Sequence, residues 1–150
     1  MTIKDTDRLT KLMALRLECL SGIRDLSIKQ RELIEVGEIG QLLRLLSAKQ
    51  RLLLRMGDAD QQLKPFLTQD PEQRPWRNKE DRGRCAKMAD LCDLLLKQVM
   101  EQERQCEELL SKRRDGVARQ LHELGVRKST HDAYSRQDSE SLNMLDLSTD

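Results

Sequence analysis

Residues 28–54 read IKQRELIEVGEIGQLLRLLSAKQRLLL, a leucine-rich stretch with two glycines near its centre. Leucine-rich sequence with helical spacing lies on both sides of a short segment that contains Gly37 and Glu38. Gly37 fits the left-handed position that follows many helices, and Glu38 places negative charge at the start of the next helix. Because a connection this short joins antiparallel helices, the stretch predicts a helical hairpin.

The triplet Lys-Gln-Arg occurs twice in this stretch, at residues 29–31 and 49–51. The two copies lie on different predicted helices, each where polar residues interrupt an apolar stripe. The chain is rich in all three residue types, so we do not interpret the triplets as a repeat.

Helical periodicity extends from the hairpin in both directions and predicts three helices, at about residues 5–36, 39–64 and 79–125. Asp5 or Thr6 is the expected N-cap of the first helix. A proline-rich loop at 65–78 follows the second helix, which we expect to stop at Pro65. The predicted fold class is all-α, with an antiparallel helical hairpin plus a longer third helix in a coiled-coil-like three-helix bundle and a disordered C-terminal tail.

The composition changes near Arg127, where Ser and Asp become frequent and leucine spacing is lost. We therefore place a helical domain at residues 1–126 and a polar flexible tail at 127–150. An apolar cluster within the tail is a candidate docking segment, and its members are Leu142, Met144, Leu145 and Leu147.

The loop contains the chain's single Phe and single Trp, Phe66 and Trp76. We interpret them as plugs at the ends of the bundle. The alternative is a hydrophobic knob that faces a partner.

The charge balance argues against two classes of partner. The chain carries 27 basic and 26 acidic residues, for a net charge of +1. No overall field attracts nucleic acid or an anionic membrane, and the run Lys112-Arg113-Arg114 is followed by Asp115. The sequence also has no apolar run of about 20 residues for membrane insertion and no signal-peptide core, so we expect a cytoplasmic location.

The cysteine spacing indicates buried thiols. Cys85, Cys92 and Cys106 are separated by 7 and 14 residues, so they share one heptad position on a helix. Zinc sites use much shorter ligand spacings or neighbouring elements, and a cytoplasmic location disfavours disulfides. We expect free thiols in the core; a structural disulfide or a metal site is the alternative.

Catalytic chemistry is not indicated. The two histidines, His122 and His131, have no cysteine or carboxylate at a spacing that suggests a nucleophile or a ligand set. The sequence has no Gly-rich phosphate loop. We expect a protein that is not an enzyme and has no cofactor and no metal. Long amphipathic helices instead favour binding of another helix in an apolar groove.

The chain resembles the FlgN family of bacterial flagellar export chaperones, in a divergent branch, over about residues 8–135. The resemblance rests on QRELI at 30–34, GE at 37–38, LLxLLxxKQxLL at 42–53, and a proline-bearing loop with Trp76 before a long third helix rich in Glu, Gln and Leu.

The resemblance implies a cytoplasmic chaperone that binds the amphipathic C-terminal helices of hook–filament junction proteins and delivers them to the type III export gate. Substrate binding by the C-terminal half of the family's last helix corresponds here to Cys106–Leu124. The implied contacts are Leu109, Leu110, Val117, Leu121 and Leu124. The family's gate-contacting tyrosine corresponds to Tyr134, for which an unpacked residue in a polar tail is the alternative.

The competing interpretation is a non-catalytic coiled-coil scaffold or assembly adaptor that forms a stable homodimer. We expect self-association through the third helix when no substrate is bound. An elongated bundle buries little apolar surface, and this burial barely offsets the conformational entropy that is lost on folding. A scaffold would form a tight dimer that ignores amphipathic peptides. A chaperone would exchange a weaker self-contact for its substrate.

Overall fold

A computed structural model of the chain describes the backbone of residues 1–147 and the side chains of residues 1–136. The helices are α1 (Ile3–Val36), α2 (Ile39–Leu67) and α3 (Lys79–Leu147), with a short 3-10 helix at Pro71–Gln73 before α3. No strand occurs within the described backbone. The predicted all-α, three-helix architecture is confirmed.

The chain divides into two compact units, Met1–Leu109 and Leu110–Asp150. The first unit contains α1, α2 and the first part of α3, and it holds the core. The second unit contains the rest of α3.

The turn of the hairpin forms as predicted around Gly37. Its φ of 75° is left-handed, which L side chains rarely adopt. The Gly37 N–H lies 3.0 Å from the carbonyl oxygen of Leu33, and the Glu38 N–H lies 3.1 Å from the same oxygen. The last carbonyls of α1 are therefore satisfied within the turn, which lets α2 begin two residues later.

Helix α1 begins earlier than the sequence predicts. Thr2 is the N-cap, and its backbone N–H donates to the Asp5 carboxylate at 2.7 Å. The Asp5 N–H donates in return to Thr2 Oγ1 at 3.4 Å. This capping box makes Asp5 the third residue of the helix, so the expectation of Asp5 or Thr6 as the cap was wrong.

Helix α2 continues past Pro65 to Leu67, so the expectation that Pro65 stops the helix was also wrong. Its final carbonyls have other donors: Thr68 Oγ1 donates to the Pro65 oxygen at 3.1 Å, and Arg74 donates to the Phe66 oxygen at 2.7 Å. Phe66 is buried, which anchors this last turn to the core. A proline near a helix end costs one backbone hydrogen bond, and these contacts offset that loss.

Three clusters of buried side chains follow one another along the first unit. Each cluster combines residues of α1 and α3, and the two outer ones include α2. The loop-end cluster is Leu9, Leu12, Leu63, Phe66 and Cys85; the middle cluster is Leu20, Ile23, Cys92, Leu95 and Val99; the turn-end cluster is Leu33, Ile34, Leu42, Leu45 and Cys106.

Phe66, in the last turn of α2, and Trp76, in the loop, both contribute to this core. Phe66 is a member of the loop-end cluster, and Trp76 packs against it. The loop is held in place where Thr6 Oγ1 donates to the Pro75 oxygen at 2.8 Å. Of the two interpretations of Phe66 and Trp76, the plug is the one that the structure supports.

The four cysteines are free and buried, as the heptad spacing predicts for three of them. Each α3 cysteine lies in a different cluster. Burial raises the pKa of all four thiols. The thiols therefore pack as small apolar side chains.

A polar layer interrupts the core near the turn-end cluster. The buried Lys49 ammonium donates to Gln30 Oε1 at 2.8 Å and forms an ion pair with Glu103. Ser27 Oγ donates to the same Glu103 carboxylate at 2.9 Å. Burial lowers the pKa of Lys49 because it disfavours the charged ammonium.

Helix α3 continues to Leu147, beyond its predicted end at about residue 125. Residues 126–147 contain neither glycine nor proline, so the backbone has no strong helix breaker there. The segment predicted as a flexible tail is helical as far as Leu147. The predicted apolar cluster within 142–147 lies outside the described side chains.

Candidate protein-docking surface

The second unit exposes a row of large apolar side chains on α3. We call these residues the α3 stripe: Leu110, Val117, Leu121 and Leu124, which are between 43% and 64% exposed. Their separations of 7, 4 and 3 residues place them along one side of a helix. Exposed leucines are ordinary when single, but an aligned row on one helix is typical of a helix-binding surface.

Leu109 does not belong to this row. It lies in the first unit, where it packs against the turn-end cluster. The sequence-based resemblance grouped Leu109 with Leu110 because both fall in the same segment. Their exposure differs because adjacent helical residues point about 100° apart, toward different surroundings.

Charged residues of both signs flank the α3 stripe. Residues 110–126 include four basic and two acidic side chains, namely Lys112, Arg113, Arg114, Arg119, Asp115 and Glu123. Gly116 interrupts the row without crowding it, because a Cβ at this position would meet no atom within 4 Å. The backbone next to Val117 is therefore open to close approach by another helix.

Tyr134 lies further along α3 and is 66% exposed. It borders a shallow depression formed with Ser129, Thr130 and Ala133. Thr130 Oγ1 donates to the Val126 carbonyl at 2.9 Å, so its hydroxyl is satisfied by its own helix. The ring and hydroxyl of Tyr134 are accessible to a partner.

A second exposed apolar row lies on α2, and it was not predicted from the sequence. The helix contains adjacent leucines at 42–43, 45–46 and 52–54, and helical spacing alone does not tell which of them face the core. Leu42 and Leu45 are buried, but Leu43, Leu46 and Leu53 are exposed. The pairs of adjacent leucines are the sequence signal of a second apolar face, since one helix–helix seam accommodates only one residue of each pair.

A pocket of about 590 Å³ lies at the loop end of the first unit, with apolar walls that include Leu63, Phe66 and Trp76. The side-chain N–H of Trp76 and the Nε of Arg74 are buried and have no hydrogen-bond partner among the side chains that the structure describes. The walls also carry charged side chains, namely Arg16, Asp60, Arg82 and Asp93, so a ligand in this space would meet both apolar and charged groups.

Within the described residues, no group of three or more Cys, His, Asp or Glu side chains could hold a metal ion. No helix in the described part of the chain is long and apolar enough to cross a membrane. No protein-family model, curated protein or solved structure matches the chain.

Proposed function

We propose that the chain is a cytoplasmic flagellar export chaperone of the FlgN kind. It binds the amphipathic C-terminal helices of hook–filament junction proteins and delivers them to the type III export gate. The α3 stripe is the substrate-binding surface in this proposal, and the observation that carries it is the alignment of four exposed apolar side chains along one helix.

The physical argument is that about half of each side chain in this row is exposed to solvent. Burying one aliphatic side chain contributes at most about 1.5–3 kcal/mol, so a client helix that covers Leu110, Val117 and Leu121 gains useful affinity without deep pockets. A client with an apolar face of its own would be kept from self-assembly while bound. Leu109 is omitted from the surface because it packs in the first unit.

Tyr134 is the proposed contact with the export gate. Its exposure on α3 supports a role in which it meets another protein. A Tyr134→Ala variant tests this separately: client binding should be unchanged, and delivery of the client to the gate should be lost.

The test of client binding uses full-length protein and synthetic peptides that span the C-terminal helices of junction proteins from the source organism. We expect Val117→Asp and Leu121→Asp to weaken binding by about tenfold or more, since each buries a charge in the contact. Leu94→Asp is the matched control, because Leu94 is exposed to a similar extent on α3 within the first unit. Equal affinities for all variants, or no binding by the unaltered chain, would exclude the proposal.

The scaffold interpretation remains the second candidate because the same exposed row can pair two copies of α3. Sedimentation equilibrium with and without peptide separates the two. A dimer that persists at saturating peptide supports the scaffold, whereas a dimer that dissociates as peptide binds supports the chaperone.

A further inference from the structure

The exposed row on α2 has the spacing of a coiled-coil seam. Ile39, Leu43, Leu46, Gln50 and Leu53 follow one another at steps of 4, 3, 4 and 3 residues. The four apolar members are 37% to 62% exposed. We call these five residues the α2 outer seam. Alternating steps of 3 and 4 residues keep a row facing one partner helix over several turns.

The charged residues that α2 itself contributes beside this seam are all basic. Between Ile39 and Gly57 the chain contains no Asp or Glu. Arg44, Arg51 and Arg55 are exposed and make no ion pair within the described residues. The fourth basic residue, Lys49, is turned inward to Glu103.

The arginines also lie along one edge of the seam. Arg44 and Arg51 each follow a seam residue by one position and are seven residues apart, and Arg55 lies one turn beyond Arg51. A helix that covers the seam would therefore place its flanking residues beside a continuous line of guanidinium groups. Carboxylates at those flanking positions would form charge-assisted hydrogen bonds with them.

We propose that the α2 outer seam binds an acidic amphipathic helix from another protein. Its apolar residues would cover Leu43, Leu46 and Leu53, and its Asp or Glu side chains would face the three arginines. A polar residue opposite Gln50 would set the register, as a single polar seam position does in coiled coils. This inference rests on α2 alone and does not depend on the function proposed for the α3 stripe.

Two other occupants fit the seam less well. A second copy of α2 would bring two rows of arginines together, which opposes pairing. An anionic membrane suits a basic amphipathic helix, but such helices present a broad apolar face with aromatic residues. The α2 outer seam has Leu54, 61% exposed, beside it, but it contains Gln50 at an inner position and has no aromatic residue.

The test uses the full chain and two designed helical peptides that share leucines at heptad positions and one central Asn. One peptide has Glu at the flanking positions and the other has Lys. Fluorescence anisotropy should show the Glu peptide binding about tenfold or more tightly than the Lys peptide, with affinity falling as salt rises. Equal binding of the two peptides, or binding of neither, would overturn the proposal.

Variants locate the contact. Combined Arg44→Glu, Arg51→Glu and Arg55→Glu should reverse the preference in favour of the Lys peptide. Combined Leu43→Asp and Leu53→Asp should abolish binding of both, while circular dichroism confirms that the chain remains helical. Val117→Asp with Leu121→Asp should change nothing, which separates this surface from the α3 stripe. Retention of the Glu preference after the arginine reversal would refute the proposal.

A vesicle measurement addresses the membrane alternative. The unaltered chain should not co-sediment with phosphatidylglycerol vesicles under the salt conditions in which it binds the Glu peptide. Vesicle binding that is lost in the Leu43→Asp, Leu53→Asp variant, together with no peptide preference, would assign the seam to a lipid surface instead.

Discussion

The Lys49 ammonium lies 2.8 Å from the side-chain oxygen of Gln30, so the two Lys-Gln-Arg triplets meet across the hairpin through one residue of each. The contact joins α1 to α2, and the Glu103 carboxylate adds α3 to the same polar layer. Leucine seams tolerate slippage by whole heptads, whereas a buried ammonium has to meet its acceptors. The polar layer thus selects one alignment of three helices.

Removing the Lys49 ammonium should lower the free energy of unfolding more when the volume of the side chain is removed with it. We expect Lys49→Ala to lower the free energy of unfolding by about 1–3 kcal/mol, because Gln30 loses its donor and a gap is left. Lys49→Met keeps the volume and should cost about 1 kcal/mol less. Urea unfolding at neutral pH measures both. Equal losses for the two variants would mean that the charge, and not the packing, sets the stability.

Substitution by alanine should destabilise the chain at Gly37, in the turn of the hairpin, and stabilise it at Gly57, inside α2. Gly37→Ala forces an L residue into the left-handed region and should cost about 1–2 kcal/mol. Gly57 lies inside α2, where a Cβ would meet no atom within 4 Å, so Gly57→Ala should stabilise by about 0.5–1 kcal/mol. Thermal unfolding of both variants gives the comparison. A stabilising Gly37→Ala would contradict the observed turn.

Substitution by alanine should lower the free energy of unfolding much more at a core leucine than at a surface leucine. Leu20 is fully buried in the middle cluster, so Leu20→Ala should lower the free energy of unfolding by about 2–5 kcal/mol. Leu121→Ala, on the α3 stripe, should change it by less than about 0.5 kcal/mol. Denaturant unfolding followed by circular dichroism provides both values. A large loss at Leu121 would show that this side chain is covered in solution.

The buried thiols should make the fold sensitive to alkali. Their pKa values lie above the ordinary 9.0 because burial disfavours the thiolate. Below pH 9.0 the thiols are protonated in both states, and their contribution to stability is complete. As the pH rises past 9.0, the unfolded chain releases protons that the folded chain keeps, so stability falls.

The measurement is the free energy of unfolding between about pH 8 and pH 10. Cys106→Ala should make the decline less steep, since one buried thiol is removed. Lys49 works in the opposite direction, because its lowered pKa lets the folded chain lose a proton first as the pH rises. An identical pH dependence for the unaltered chain and Cys106→Ala would show that this thiol titrates at its ordinary value.

Local signals predicted the hairpin because they act within a few residues. Gly37, the leucine spacing and the absence of breakers determine where a helix can exist and turn. The pairing of Lys49 with Gln30 was not predicted, because it depends on how two helices meet across 19 residues of sequence. The predicted stop at Pro65 failed for a related reason, as the donors from Thr68 and Arg74 become visible only in three dimensions.

The candidate surfaces were predicted unevenly. Spacing alone cannot tell Leu109 from Leu110, since their different exposure depends on where the turn-end cluster ends. On α2, Leu42 and Leu45 are buried and Leu52 is half-buried, whereas their neighbours Leu43, Leu46 and Leu53 are exposed. The helical spacing is the same for both faces, and only packing distinguishes them.

The cysteines of α3 have a further consequence, because each one lies in a different cluster of the core. A thiol reagent can modify Cys85, Cys92 or Cys106 only when the surrounding layer opens. Single-cysteine versions of the chain would therefore report, by their labelling rates, how often each layer opens. The native protein thus contains its own set of three probes for deciding whether the bundle opens from the loop end, from the turn end or all at once.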